Sequence, residues 1–271
     1  IPEALTQEKG LKNPKLRLIC KYEGSSLVKT KYSFCRKLFV CILAFTIEAY
    51  PQKILAGICG KPIVQIGWFS ANQGKSQHID IEGLIGDDFN VTKSSDQNFL
   101  VGLGYYFNGF KKSRISQLFG INAFYLAPTE VKGNVTQEDL FTNLSYEYSR
   151  TNYPIYFSTK SIIHCNSCND IVLDLGIGPN IVCCGDFKEK SLDDGVTIPD
   201  GNIFSRKTTT TFSATAGLGW RINFFKKIPL EINYRFFYLG AGKFNKNNNQ
   251  LKNTLHTGNS YGNALIFTIS I

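Results

Sequence analysis

From residue 60 onward, apolar and polar residues alternate at every second position, in segments about as long as a tilted strand that crosses a bilayer. This period of two predicts β-strands, because successive side chains of a strand point to opposite faces of the sheet. The clearest segment is Pro229–Tyr238. One face carries Leu230, Ile232, Tyr234, Phe236 and Tyr238, and the opposite face carries Glu231, Asn233 and Arg235.

The preceding segment, Phe212–Asn223, alternates in the same way but has a different second face. Large apolar residues such as Leu218 and Trp220 lie on one face, opposite glycines, small polar residues and Arg221. A soluble β-sandwich would also alternate. A face of small residues with a few charges, however, favours the crowded polar interior of a small barrel.

The pattern predicts an all-β fold of eight antiparallel strands in up-and-down (meander) order. A weaker alternation over Leu140–Tyr148 either extends the hairpin of the third and fourth strands or forms a short helix in the second loop. The predicted strands span residues 62–71, 97–108, 114–126, 153–163, 170–183, 208–224, 229–241 and 260–271. Short connections (109–113, 164–169 and 225–228) alternate with long polar ones (72–96, 127–152, 184–207 and 242–259).

A membrane protein with this sequence has to cross the bilayer with strands. No window after residue 60 approaches the roughly 18 to 20 consecutive apolar residues that a transmembrane helix needs. A sheet satisfies all its backbone hydrogen bonds within hydrocarbon only as a closed barrel. Short turns on one side and long loops on the other are typical of outer-membrane barrels, with the long loops outside the cell. We therefore predict that residues 60–271 form an eight-stranded transmembrane β-barrel, which we expect to be a monomer.

The net charge of +9 does not describe the predicted barrel. Lys and Arg number 30 against 21 Asp and Glu, but residues 1–59 contain ten of the bases and only four of the acids. The barrel region is therefore almost balanced. This argues against a nucleic-acid partner, which a basic patch would attract, and we expect no cofactor.

Residues 1–59 are predicted to be an upstream segment followed by a secretory signal peptide that is removed. Four basic residues between positions 29 and 37 precede the apolar run Leu38–Ile47, which is too short to span a bilayer. Small residues follow at Ala56 and Gly57. Positive, apolar and then small residues, in this order, are the signature of a secretory signal.

The last three predicted strands carry a resemblance to a known family. The segments Gly217–Ile222 and Leu230–Arg235, with the alternating chain end Leu265–Ile271, resemble the outer-membrane barrels that include the outer membrane protein A transmembrane domain and the opacity-type proteins. The resemblance implies a Gram-negative outer membrane, contact with its lipid and lipopolysaccharide, and insertion by the barrel assembly machinery. It also implies a role in membrane integrity, adhesion or contact with a host surface ligand.

Five charged residues fall on the inward phase of the predicted strands, where an unpaired charge would be costly. They either form a salt-bridged plug or gate across the lumen or are the satisfied core of a small barrel. These residues are Lys160, Asp174, Arg221, Glu231 and Arg235.

Cys165 and Cys168 lie in a predicted hairpin turn and have the spacing of a redox or metal motif. A zinc site needs about four ligands, and only His164 lies nearby in sequence. We therefore expect a local disulfide or two thiols, and no metal.

A lipid A-modifying enzyme is the catalytic alternative, and a small pore or binding barrel is the third. Barrel enzymes of this kind use a serine and a histidine, and the lipid A deacylase family has its serine two residues after the histidine. In this sequence Gly258 occupies that place after His256, so Ser260 would have to act as the serine. We predict no catalytic residues and a structural or surface-contact role. The basic residues of the third and fourth long loops are either solvated or contact lipopolysaccharide phosphates or a host polyanion. They are Lys188, Lys190, Arg206, Lys207, Lys243, Lys246 and Lys252.

Overall fold

The computed structural model describes residues 60–166, 168–200, 203–225 and 228–271. No helix in these ranges is long and apolar enough to cross a membrane. Their regular secondary structure consists of strands. The strands are β1 (Gly60–Asn72), β2 (Gln77–Ile79), β3 (Asp87–Lys93), β4 (Ser95–Lys112), β5 (Ile115–Gln137), β6 (Phe141–His164), β7 (Asn169–Ser191), β8 (Phe204–Ser205), β9 (Lys207–Phe225), β10 (Ile228–Lys243), β11 (Asn245–Lys246) and β12 (His256–Ser270).

Eight long strands form a closed ring. Each of β1, β4, β5, β6, β7, β9, β10 and β12 pairs antiparallel with the next, and β12 returns to pair with β1 from Ile63↔Ser270 to Asn72↔Tyr261. The remaining four strands are short and lie within the long connections. The predicted fold class, an eight-stranded antiparallel meander barrel, is confirmed.

The outer wall of the barrel is apolar. Trp68, Phe157 and Tyr234 are 70%, 68% and 56% exposed, and each belongs to a row of similar residues on its strand. Aromatic rings form a belt toward one end, with centroids 5.4 Å apart for Tyr125 and Tyr153 and 5.6 Å for Tyr238 and Tyr261. A continuous apolar wall ending in an aromatic belt fits hydrocarbon rather than water. We take this belt as the limit of the membrane-spanning segments.

The two ends of the barrel differ in their connections. At the short-turn end, β4 and β5 are joined at Ser113–Arg114, and β6 and β7 across residues 165–168. At the long-loop end, beyond the aromatic belt, β5 and β6 continue to a tight turn at residues 138–140. The predicted long loop 127–152 is therefore wrong, and the alternation over Leu140–Tyr148 reflects an extended hairpin. The predicted strands also ended too early at 183 in β7 and at 108 in β4.

Bulges near the aromatic belt shift the alternation of several strands. The pairing slips between Leu126 and Thr129 in β5, and again between Tyr238 and Gly240 in β10. In β10 the buried positions are odd-numbered up to Leu239, whereas Gly242 and Phe244, which directly follows the strand, are even-numbered. Gly240 has a φ of +66°, a conformation that glycine adopts without strain. The bulges therefore allow a second set of residues to fill the barrel above the belt.

The predicted signal run Leu38–Ile47 and the predicted boundary at residue 59 lie outside the described residues. These interpretations stay predictions.

Candidate functional site

The inward side chains of the membrane-spanning strands form a charged network near the short-turn end. Lys160 Nζ lies 2.9 and 3.1 Å from the two carboxylate oxygens of Glu231 and 3.4 Å from Asp174 Oδ2. Arg235 Nη2 lies 2.8 Å from the same Asp174 oxygen, and Arg221 Nη2 lies 3.6 Å from Glu231 Oε2. The structure thus brings all five predicted lumen residues together.

Strand pairing places these charges side by side. Lys160 of β6 is opposite Asp174 of β7, and Arg221 of β9 is opposite Glu231 of β10. Both pairs share an inward phase, so their side chains meet in the lumen. All of these side chains are almost fully buried except that of Arg221, which is 12% exposed.

Neutral residues complete this network, and the sequence-based interpretation did not include them. The Tyr106 hydroxyl donates to Asp174 Oδ1 at 3.0 Å, and Asn233 Nδ2 donates to Asp174 Oδ2 at 3.2 Å. Asn122 Nδ2 donates to the Tyr106 hydroxyl at 2.6 Å. For Asn233 a sequence signal was available, because it shares the inward phase of β10 with Glu231 and Arg235. With the ion pairs to Lys160 and Arg235, the buried Asp174 carboxylate thus has four partners in the lumen.

Apolar rings fill the barrel directly above the charges. Phe124 and Phe237 have ring centroids 5.5 Å apart, and Tyr156 packs 6.1 Å from Phe124. The Arg235 guanidinium lies 5.3 Å from the centre of the Phe124 ring. This layer therefore seals the charged network on the side facing the long loops.

A second buried cation, Arg150, lies above the apolar layer. Its guanidinium donates to the carbonyl oxygens of Leu239 and Gly240 at 3.2 and 3.0 Å, to Thr257 Oγ1 at 3.0 Å and to Asn152 Oδ1 at 3.1 Å. Within the described ranges it forms no ion pair with a carboxylate. Arg150 thus ties β6 to β10 and β12 where β10 bulges.

The long-loop end is closed by a cluster of aromatic and aliphatic side chains. Phe89 of β3 lies at the centre, with ring centroids 5.3 Å from Tyr146, 5.8 Å from Phe204 and 6.4 Å from Phe187. The first and fourth long loops also bond to each other: Glu82 N donates to Gln250 O at 2.8 Å, and Lys252 N to Asp80 O at 2.9 Å. We call this ordered region, with its cluster, the cap.

The predicted serine–histidine alternative is not assembled. Ser260 is fully buried inside the barrel, and its hydroxyl has no hydrogen-bond partner among the described residues. His256 is exposed on the outer wall, and its backbone N–H donates to Gln77 Oε1 at 3.1 Å. Because the two side chains point to opposite sides of the wall, they do not form a catalytic pair.

The cysteines of the predicted disulfide lie exposed in the turn between β6 and β7. Cys165 N donates to Asn169 O at 3.2 Å, which holds one end of this turn. A bond between Cys165 and Cys168 stays a prediction.

His78, Asp88 and Asp139 in the cap bring their side-chain ligand atoms within 4.8 Å of one another. Both imidazole nitrogens already have partners, with Nδ1 at 2.8 Å from Asp88 Oδ1 and Nε2 at 3.0 Å from Ile85 O. The hydrogen bond to Asp88, followed by that to Ile85, raises the pKa of His78, and partial burial opposes them. This geometry suits a protonated imidazole that bridges two acceptors better than a metal ligand.

A closed ring of eight antiparallel strands, an apolar wall with an aromatic belt, and loops of unequal length at its two ends define the class of bacterial outer-membrane β-barrels. No family model and no curated protein matches the sequence. Among solved structures, the outer membrane protein OprG from Pseudomonas aeruginosa is similar at 13% identity and a TM-score of 0.44, over 79% of this chain and 97% of that one.

Two further solved structures are similar. Neisserial surface protein A matches at 11% identity and a TM-score of 0.39, over 78% of this chain and 96% of that one. Ail of Yersinia pestis, solved with the heparin analogue sucrose octasulfate, matches at 11% identity and a TM-score of 0.31, over 78% and 97%. At these values the assignment to the class rests on the geometry of the barrel itself.

Proposed function

We propose that this protein is an outer-membrane barrel of a Gram-negative bacterium that does not conduct and acts through its cap, in a structural or surface-contact role. The observation that carries the proposal is the filling of the lumen at successive heights. The charged network, the Phe124–Phe237 layer, Arg150 and the cap follow one another along the barrel axis. A protein built for diffusion would keep a polar channel open along this axis.

In this proposal the short-turn end faces the periplasm and the cap faces outward, the usual orientation of the class. Short peptide tags test it. Gly83 and Gly195 suit insertion because a side chain at either position would meet no atom within 4 Å. Tags there should be reachable by antibody on intact cells, whereas a tag at Asn166 should be reached only after the membrane is opened. The reverse pattern would refute the orientation.

Conductance in planar bilayers tests the closed lumen. We expect the folded protein to give no channel events, and Phe89→Ala to give none either, because the charged network and the Phe124 layer lie below the cap. Heat-modifiability on a gel confirms that the protein tested is folded. Sustained conductance of the unaltered protein would favour the pore alternative.

A second candidate role, contact with the phosphates of lipopolysaccharide, is supported by a row of lysines above the aromatic belt. Several predicted loop cations are engaged elsewhere: Arg206 lies 2.7 Å from Asp186, and Lys190 lies 3.4 Å from Glu147. Lys246 Nζ donates to Leu251 O at 2.6 Å. The candidates for binding phosphate are therefore the other cations, which lie on the outer wall.

Three lysines of this wall surround His256. Lys243 is opposite His256 in the β10–β12 pairing, and Lys75 packs against Gly258 nearby. Burial, together with the charges of Lys243, Lys75 and Lys207, lowers the pKa of His256. A group of cations just beyond the membrane boundary attracts the anionic phosphates found at that height.

Binding to vesicles that contain lipopolysaccharide tests this role. We expect Lys207→Glu with Lys243→Glu to weaken binding about tenfold or more at low salt, with the difference shrinking as salt rises. Lys190→Gln is the matched control, because that lysine already pairs with Glu147. Equal binding by the double variant and the control would refute the role of the lysine row.

A further inference from the structure

At the short-turn end, the structure brings together a serine, a histidine and an aspartate that are far apart in sequence. Ser116 Oγ lies 2.8 Å from His164 Nε2, and His164 Nδ1 lies 2.9 Å from Asp170 Oδ1. Ser116 is the second residue of β5, His164 the last of β6 and Asp170 the second of β7, so all three belong to adjacent, paired strands. Backbone bonding from His164 N to Arg114 O at 2.8 Å holds the histidine in place.

The hydrogen bonds fix the roles of the two imidazole nitrogens. The Asp170 side chain is 4% exposed, and Asn223 Nδ2 donates to its second oxygen at 3.0 Å. Because a carboxylate only accepts, His164 Nδ1 must be the donor to Asp170. In the neutral imidazole, Nε2 is then the acceptor, and it faces the Ser116 hydroxyl. This is the arrangement in which a histidine removes the proton of a serine nucleophile.

Ser116 and His164 line a cleft of about 400 Å³ at the short-turn end of the lumen. Four cationic side chains also line it, and no described carboxylate does. Lys160 and Arg221 belong to the charged network, whereas Lys61 and Lys111 are exposed and form no ion pair with a described carboxylate. A cleft with this lining favours a substrate that carries a negative charge.

We propose that Ser116, His164 and Asp170 form a hydrolytic site for carboxylic esters that carry an anionic group. This activity goes beyond the structural or surface-contact role. Ser116 Oγ attacks the ester carbonyl while His164 Nε2 takes the hydroxyl proton, and the N–H groups of the cationic lining stabilise the oxyanion. The ester C–O bond then breaks, and His164 returns the proton to the departing alcohol. A water molecule, deprotonated by His164, hydrolyses the acyl–Ser116 bond, which releases the acid and restores the serine.

Ester hydrolysis by the full chain folded in detergent tests this site. The probes are 4-nitrophenyl butyrate, which is neutral, and the mono-4-nitrophenyl ester of glutarate, which is anionic. We expect the anionic ester to have the higher kcat/KM, and Ser116→Ala and His164→Gln each to lower kcat/KM by about a hundredfold or more. Ser161→Ala is the matched control, because Ser161 is also near the end of β6 but donates to Gln117 Oε1.

Covalent labelling identifies the nucleophile. A fluorophosphonate probe should modify Ser116, as shown by mass spectrometry of the labelled peptide, and the label should disappear in His164→Gln but remain in Ser161→Ala. Asp170 acts as a positioning residue, so Asp170→Asn should lower kcat with little change in KM while the protein remains heat-modifiable. Folded protein that hydrolyses neither ester and takes no label on Ser116 would refute the proposal.

Discussion

Two buried cations, one on each side of the Phe124–Phe237 layer, are stabilised in different ways. Lys160, in the membrane-spanning part, lies between the carboxylates of Glu231 and Asp174. Arg150, on the side of the cap, bonds to backbone carbonyls, a hydroxyl and an amide oxygen. The lower region, on the short-turn side of the Phe124–Phe237 layer, thus neutralises its charges in pairs. The upper region, on the cap side of that layer, uses one cation to hold a bulged backbone. Within one barrel, ion pairs therefore stabilise the lower region, and hydrogen bonds to the β10 backbone stabilise the upper one.

The difference predicts unequal losses when each cation is replaced by methionine. Lys160→Met leaves two buried carboxylates short of a partner, which costs about 3–5 kcal/mol of unfolding free energy. Three of the four neutral acceptors of Arg150 keep another donor, because Asn180 Nδ2 also donates to Leu239 O and Asn152 Oδ1, and Gly242 N donates to Thr257 Oγ1. Arg150→Met should therefore cost less, about 1–3 kcal/mol for the donor lost at Gly240 O. Urea unfolding in detergent measures both.

A double variant sharpens this comparison. Glu231→Gln in the Lys160→Met background removes one of the stranded charges, so the double variant should be more stable than Lys160→Met alone. In the Arg150→Met background no carboxylate has lost a partner, because Arg150 pairs with none in the described residues. Glu231→Gln should therefore not restore stability there. Equal effects in both backgrounds would mean that the two regions stabilise their buried cations in the same way.

The two faces of β10 should respond oppositely to substitution. Tyr234 is 56% exposed on the apolar wall, so Tyr234→Arg places a charge in hydrocarbon and costs about 2–4 kcal/mol near the midplane. Asn233 is fully buried in the lumen and donates to Asp174, so Asn233→Ser loses about 1 kcal/mol and still assembles. The heat-modifiable fraction on a gel measures the difference. Equal tolerance at both positions would argue against a membrane barrel.

Much of the lower region could be predicted from the sequence, because alternation without interruption assigns each side chain to a face. Lys160 and Arg235 were placed in the lumen on this basis. Arg150 lies on the same even-numbered inward phase of β6 as Lys160. It was missed because the predicted strand began at residue 153, whereas β6 begins at Phe141.

The upper region and the serine–histidine–aspartate site were harder to predict, for two physical reasons. Bulges such as that between Leu126 and Thr129 change which residues face inward, and a fixed period of two does not detect them. His164 was assigned to a turn, but it is the last residue of β6 and its ring faces Ser116. A strand end that differs by one residue thus places this histidine beside Ser116 in the lumen rather than in the turn.

A smaller effect is expected at the bulge of β10. A Cβ atom on Gly240 would lie 2.7 Å from Phe212 O, and the residue has a φ of +66°. Gly240→Ala therefore combines a close contact with backbone strain, at about 1–3 kcal/mol in urea unfolding. Gly83→Ala is the matched control, since Gly83 has a φ of +81° but no atom within 4 Å of the added carbon. If both variants lose the same stability, the contact at the bulge contributes nothing.

The smallest expected effect is a pH dependence of the cap, through His78. Its two ring nitrogens face acceptors, Asp88 Oδ1 and Ile85 O, so both bonds are made only by the protonated ring. Its pKa is raised by these bonds and by the charges of Asp88 and Asp80, and Asp139 is the other nearby carboxylate. A raised pKa in the folded state means that the stabilisation is complete below the unfolded-state pKa and is lost as pH rises through the folded-state value.

Limited proteolysis of the loop at residues 82–86 measures this dependence. Cleavage should be slower at about pH 6 than at about pH 9, after correction for the protease's own pH profile, because the protonated imidazole ties the loop to β3. The bonds are exposed and screened by salt, so we expect a change of a few-fold in the cleavage rate rather than loss of the cap. His78→Gln keeps a donor at this position but does not titrate, and its cleavage should no longer depend on pH. If the dependence persists in that variant, another group controls the loop and the upper region has a pH response that His78 does not explain.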